Sequence, residues 1–316
     1  MIEIKELSKY FNVGGKKLHA VDNVSLNIKE NEIVGLVGES GSGKSTLGKC
    51  LVGLHPKTAG LIRYKGEELP DKYSTDDYVR LSSEMQMIFQ DPYSSLNPRM
   101  TVREIIAEGL KLSGLEKNAK RRQEMVAHWL KKVGLHADHM SRYPHEFSGG
   151  QRQRIGVARA LIVKPKFVVC DEPISALDVS VQAQVVNLLN DLKNEMGLTL
   201  LVIAHDLSMV RYISDRMAVM YLGTLVEEGP ANEVFFNPKH PYTKMLVSSN
   251  PEPDPKKERQ RERSLITGEV PSPLDVGQGC RFASRCSEVR EECHFRTPAK
   301  SKVGDGHSVA CHLYSE

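Results

Sequence analysis

The chain lacks any apolar run long enough to cross a bilayer. Its longest, Leu198–Ala204, falls far short of the roughly 20 residues that a spanning helix needs, so the chain is not expected to cross a membrane. It also lacks an excess of charge of one sign. Its 43 Lys and Arg stand against 40 Asp and Glu, a net +3 over 316 residues, too little to hold a nucleic acid as a polyanion. The first residues, Met1–Leu7, alternate charged and apolar side chains like a strand and have no signal-peptide core, so a cytoplasmic protein is expected. Cysteine is scarce, with six residues in all. Cys50 and Cys170 fall inside apolar elements, whereas Cys280, Cys286, Cys293 and Cys311 gather near the C-terminus. A reducing compartment disfavours disulfides, so that group needs another explanation.

What is present is organised around Gly38-Glu39-Ser40-Gly41-Ser42-Gly43-Lys44-Ser45-Thr46, which has the spacing of a phosphate-binding P-loop. The run Ile33–Val37 before it reads as a buried strand and Thr46–Leu51 after it as a helix. The motif requires that context. Glycines 38, 41 and 43 permit a tight turn whose amides face an anion at a helix start. Lys44 is expected to reach the β- and γ-phosphates, and the Ser45 hydroxyl to sit on Mg²⁺.

Residues 1–37 read as antiparallel strands, with Phe11 and Tyr10 as aromatics that either pack in a core or stack on a base. Thr58–Leu69 reads as a hairpin and Met85–Gln90 as a strand, followed by the proline-broken Asp91–Pro98. From Thr101 to about Gly134 the apolar period becomes helical. Ser148-Gly149-Gly150-Gln151 then opens a further helix, a pattern that serves as an N-cap or as a second anion site. The apolar strand Phe167–Cys170 ends in Asp171-Glu172. Asp171 suits Mg²⁺ held through water, and Glu172 suits the polarising of an attacking water. Ser175–Asp178 follows as a turn, and the strand Leu198–Ala204 ends in His205, a candidate sensor of the γ-phosphate.

In this order, Gly38–Ser45, Gln90, Ser148–Gln151, Asp171-Glu172, Ser175–Asp178 and His205 resemble the P-loop, Q-loop, signature, Walker B, D-loop and H-loop of an ABC transporter's nucleotide-binding subunit. The resemblance implies an α/β P-loop NTPase core with an antiparallel β-subdomain, an inserted helical subdomain at about 92–163, and a nucleotide-binding domain over 1–250. It implies that ATP is bound by Phe11, Gly38, Ser40, Gly41, Ser42, Gly43, Lys44, Ser45, Thr46, Gln90, Asp171, Asp178 and His205. Mg²⁺ falls to Ser45, Gln90 and Asp171, and catalysis to Glu172, His205, Gln90 and Lys44. Ser148, Gly149, Gly150 and Gln151 are expected to cover the nucleotide of a sister ATPase subunit in a head-to-tail dimer, or of a second copy. One departure is Phe147, where the family commonly has Leu.

A Pro/Lys/Arg-rich stretch makes 251–268 an extended linker to a Cys-rich module at 269–316. The cysteines are separated by five, six and seventeen residues. Four thiolates suit an iron–sulfur cluster or tetrahedral zinc, though zinc pairs usually stand two to four residues apart. His240-Pro241-Tyr242-Thr243 together with these cysteines resembles the C-terminal region of dipeptide and oligopeptide importer ATPases, a branch in which such cysteines hold a [4Fe-4S] cluster. The resemblance therefore implies an ATPase at the cytoplasmic face of the membrane. It powers peptide uptake through two transmembrane permease subunits that are fed by an extracytoplasmic binding protein. The other reading is a soluble ABC-type ATPase acting on nucleic acid or ribosomes, with the cysteines as a zinc element. Balanced charge and the absence of a basic-aromatic stripe count against it.

Overall fold

The computed structural model describes residues 1–175, 177–249, 271–274 and 276–315. The expected linker at 251–268 lies outside the described residues, as does Ala176 of the turn after Glu172.

The chain opens with β1 (Ile2–Val13), β2 (Lys16–Ile28) and β3 (Ile33–Val37), then α1 (Lys44–Leu51), β4 (Ala59–Tyr64), β5 (Glu67–Glu68), α2 (Thr75–Ser82) and β6 (Met85–Ile88). Three helices follow, α3 (Val102–Leu112), α4 (Ala119–Lys132) and α5 (Gly149–Leu161). Strand and helix then alternate through β7 (Phe167–Asp171), α6 (Val179–Met196), β8 (Thr199–Ala204), α7 (Leu207–Ile213), β9 (Arg216–Tyr221) and β10 (Thr224–Pro230). The helices α8 (Ala231–Phe236) and α9 (Pro241–Ser249) precede a last pair of strands, β11 (Lys300–Gly304) and β12 (His307–Ala310).

Two sheets result. β2-β1-β4-β5 is antiparallel, and the larger sheet runs β11-β12-β10-β9-β3-β8-β7-β6. In the larger sheet β6, β7, β8, β3 and β9 are parallel neighbours. Parallel strands covered on both faces read as unbroken apolar runs, and every residue of β3, β7 and β8 is buried. Their side chains still alternate between faces. Val168, Cys170, Leu200 and Val202 enter one core with α3, α4 and α5. Phe167, Val169, Leu201 and Ile203 enter another with α1 and the antiparallel sheet. A third core gathers α7, α8 and α9 around Tyr221 and Tyr242.

Gly48 lets α1 lie close on the sheet, since a Cβ there would stand 2.8 Å from Val169 and 2.9 Å from Ile203. That contact sets the start of α1 over the carboxyl ends of the central strands. Loops at those ends are where ligands bind in open α/β sheets.

The segment expected as an appended module lays its strands along the main sheet. Val309 and Ser308 pair with Glu227 and Glu228 of β10, and Phe282 is buried in the third core.

Candidate active site

Residues Gly38–Gly43 connect β3 to α1. Gly43, with φ at 98°, caps the helix without a side-chain bond, so the first amides of α1 are left for an external acceptor. A Cβ at Gly43 would fall 1.9 Å from the Ala20 carbonyl oxygen. Only glycine permits this loop to close against β2.

Lys44 is buried, and its Nζ donates to the Gly38 and Glu39 carbonyls at 2.8 Å each and to Ser42 Oγ at 3.3 Å. Burial lowers its pKa, opposed by the charges of Glu172, Asp171 and Glu39. Ser45 Oγ donates to Asp171 Oδ1 at 2.6 Å. Burial raises the pKa of Asp171, with Glu172 acting in the same direction and the Ser45 bond, Lys49 and Lys44 acting against it. A hydroxyl and a carboxylate facing each other beside a phosphate cradle are hard oxygen donors of the kind Mg²⁺ prefers.

Glu172 leaves β7 at φ 43°, which turns it away from Asp171. Its N–H donates to the Ile203 carbonyl at 2.9 Å. Its Oε2 accepts from Gln90 Nε2 at 2.7 Å and lies 3.6 Å from His205 Nδ1. Gln90, Glu172 and His205 follow β6, β7 and β8, which are adjacent strands, so register alone brings them together.

A cavity of about 380 Å³ joins these parts, lined among others by Phe11, Ser40, Gly41, Lys44, Ser45, Thr46, Gln90 and Glu172. Of the two aromatics near the N-terminus, Phe11 faces it, while Tyr10 packs on His19 and bonds to Asp22. Phe11 is steadied by the His55 ring at 5.5 Å and by Lys9 Nζ at 4.7 Å. A small neighbouring cavity shares Glu172 and adds Ser175 and His205. Leu18, Ala20 and Pro273 also line the main cavity and were not read from the sequence. Pro273 is fixed by its carbonyl, which accepts from the His19 N–H at 3.2 Å. No local motif marks that proline.

Ser148, Gly149, Gly150 and Gln151 line neither cavity. They start α5 with a capping box in which Ser148 Oγ accepts from the Gln151 N–H at 3.4 Å and Gln151 Oε1 accepts from the Ser148 N–H at 3.0 Å. Asp178 caps α6, accepting from the Val181 N–H at 3.0 Å, and is exposed.

Cys280, Cys286, Cys293 and Cys311 form no disulfide. The Cys280 N–H donates to the Cys293 carbonyl at 2.8 Å. Burial, with the three other thiols acting in the same direction and the Phe282 backbone against it, pushes the Cys280 thiol up to about 11. Among the described residues, no three His, Cys, Asp or Glu side chains are arranged to hold a metal ion. No helix among them is long and apolar enough to cross a membrane.

A family model described as "ABC transporter" matches residues 21–175, and one described as "Oligopeptide/dipeptide transporter, C-terminal region" matches 226–293. The putative oligopeptide transport ATP-binding protein YkfD of Bacillus subtilis is 54% identical over 315 residues, covering 99% of this chain and 95% of that protein. The oligopeptide transport ATP-binding protein OppF of Escherichia coli is 50% identical over 312 residues, covering 98% and 92%. Among solved structures, the dimeric post-hydrolysis state of the ATP-binding cassette MJ0796 bound to ADP and Pi superposes with a TM-score of 0.68. It is 29% identical and covers 73% of this chain and 99% of that one.

Proposed function

This chain belongs to the ATP-binding subunits of oligopeptide ABC transporters, and from that premise we propose how its residues divide the work of binding and hydrolysing ATP. It is an ATPase with the ABC-type P-loop fold, and its role is to drive an oligopeptide importer. The reading as a soluble ATPase acting on nucleic acid or ribosomes finds no support.

The proposal rests chiefly on one observation: the Glu172 carboxylate stands between Gln90 and His205 beside the P-loop. The α1 amides and Lys44 bind the β- and γ-phosphates, while Phe11 packs against the base. Ser45, Asp171 and Gln90 would hold Mg²⁺, which would neutralise phosphate charge. Glu172 accepts a proton from water as the water oxygen bonds to the γ-phosphorus, the bond from that phosphorus to the β,γ-bridging oxygen breaks and ADP leaves, while His205 orients the γ-phosphate.

A lone P-loop leaves one side of the triphosphate open to water. Ser148, Gly149, Gly150 and Gln151 are displayed away from their own cavity, which suits a head-to-tail pair with a sister ATPase subunit; a homodimer is the other arrangement. Asp178 then lies at that junction. ATP favours the closed pair by binding it more tightly than the open one.

Residues 1–250 act as the nucleotide-binding domain and 92–163 as a helical subdomain that meets the permease. A groove of about 310 Å³ next to Phe89, lined also by Leu54, Tyr78, Leu112 and Val163, supports this placement. Leu54, Tyr78 and Leu112 are exposed there. The protein thus sits at the cytoplasmic face of the membrane, on two permease subunits fed by an extracytoplasmic binding protein.

For the module at 269–316 the proposed ligand is a [4Fe-4S] cluster on Cys280, Cys286, Cys293 and Cys311. Support comes from four free thiols near enough to feel one another's charge. Zinc on the same four thiolates is the other reading. The cluster would cross-link a segment short of its own core. An absorption spectrum with iron and zinc analysis on anaerobically purified protein decides between them.

The transport role is tested by reconstituting the chain with permease subunits in proteoliposomes. Oligopeptide uptake should require ATP and fail with Lys44→Ala; uptake that survives this change would refute it.

A further inference from the structure

Glu39 follows Gly38 in the P-loop, and both its side chain and its backbone are held from the C-terminal part of the chain. Arg285 forks onto its carboxylate, with Nη1 to Oε2 at 2.8 Å and Nη2 to Oε1 at 3.0 Å. The Glu39 N–H donates to Tyr242 Oη at 2.8 Å. Arg285 is 3% exposed at its side chain and Glu39 22%, so this pair is screened far less than a surface ion pair. The guanidinium is seated on a rigid floor. Its Nη1 reaches Tyr221 Oη at 3.3 Å, and the Tyr221, Tyr242 and Phe282 rings pack together at 4.6 to 5.4 Å.

The same glutamate touches the phosphate-binding lysine by another atom, because its carbonyl accepts from Lys44 Nζ at 2.8 Å. A carboxylate on a P-loop opposes a triphosphate by Coulomb repulsion, and in a partly dehydrated cavity that repulsion is strong. It also competes for the lysine. A rigid bidentate cation removes both effects at once, and an arginine fork does so with fixed geometry where a lysine would not.

We propose that Arg285 is a positioning residue of the ATP site: it neutralises the Glu39 carboxylate and holds it off Lys44, keeping the P-loop in the form that accepts phosphate. Arg285 lies next to Cys286 and three residues after Phe282, so the fold of the cysteine-bearing segment sets the fork. Through it the C-terminal segment becomes part of the nucleotide site. The inference rests on the nucleotide reading of the P-loop.

The test is equilibrium titration of the full-length protein with Mg-ATP. Arg285→Gln is expected to weaken ATP binding by roughly tenfold or more, within the usual range of coupling between sites. Arg285→Lys, which keeps the charge and loses the fork, should fall between the two. Adding Glu39→Gln to Arg285→Gln should recover most of the lost affinity, because the unpaired carboxylate is then gone. A merely structural arginine would lower the melting temperature without that recovery. Unchanged affinity in Arg285→Gln, or a double variant as weak as the single one, would overturn the proposal. If Arg285→Gln does not fold, Arg285→Lys decides, and wild-type affinity in it overturns the proposal. Wild-type protein that binds no ATP would overturn the nucleotide reading as well.

Discussion

Gln90 Nε2 donates to Glu172 Oε2 at 2.7 Å, tying the exit of β6 to the exit of β7. The bond aims a carboxylate that leaves its strand in a left-handed conformation and lines the cavity. Gln90→Ala should therefore lower ATP turnover by roughly a hundredfold, the cost of misplacing a reacting group by about 1 Å. Gln90 is exposed, so the melting temperature should hardly move. Steady-state kinetics beside a thermal melt checks both.

Gly43→Ala places a methyl group 1.9 Å from the Ala20 carbonyl at a residue with φ 98°. Backbone faces backbone there, so neither can yield cheaply. Loss of ATP binding is expected, measured by titration with a fluorescent ATP analogue.

Ser148→Ala removes the α5 cap, which should cost about 1 kcal/mol in denaturant unfolding. If Ser148 also covers the nucleotide of a facing subunit, ATP-dependent pairing should fall by more than that stability loss accounts for. Sedimentation with and without ATP separates the two contributions.

His240 is 1% exposed, and its Nδ1 accepts from the Tyr242 N–H at 3.0 Å. Burial pulls its pKa down to about 4, opposed by Glu227 and assisted by Lys244. The unfolded chain, with an ordinary histidine near 6.5, binds a proton that the folded chain refuses. Stability from this residue is therefore complete above about pH 6.5 and lost as pH falls toward 4, by about 3 kcal/mol in all. His240→Asn, which retains an acceptor but cannot titrate, should flatten the fall in stability over that window. Denaturant midpoints measured from pH 7 to pH 4 show whether it does.

The chemistry legible in the sequence was the kind carried by contiguous residues. Gly38–Thr46, Asp171-Glu172 and His205 sit at strand ends that the apolar runs already marked, and parallel register then brings Gln90, Glu172 and His205 together. What was not legible depends on pairings across the chain. Nothing near Pro273 signals that it walls the cavity beside Phe11, and nothing near Val309 signals pairing with Glu227 on β10. The Arg285–Glu39 fork joins residues that become neighbours only when the third core forms around Phe282. Capping by Ser148 was foreseeable from Ser-Gly-Gly-Gln, and its position outside its own subunit's cavity agrees with what the family resemblance implied.

The most direct test of the account is ATP turnover and ATP binding measured together in Glu172→Gln. The substitution keeps the shape of the side chain and removes the base. Turnover at this chain's site should drop by roughly 10²- to 10⁴-fold while ATP affinity stays within a few-fold of wild type. Turnover that persists at the wild-type rate would contradict the assignment of Glu172 and the catalytic geometry built around it.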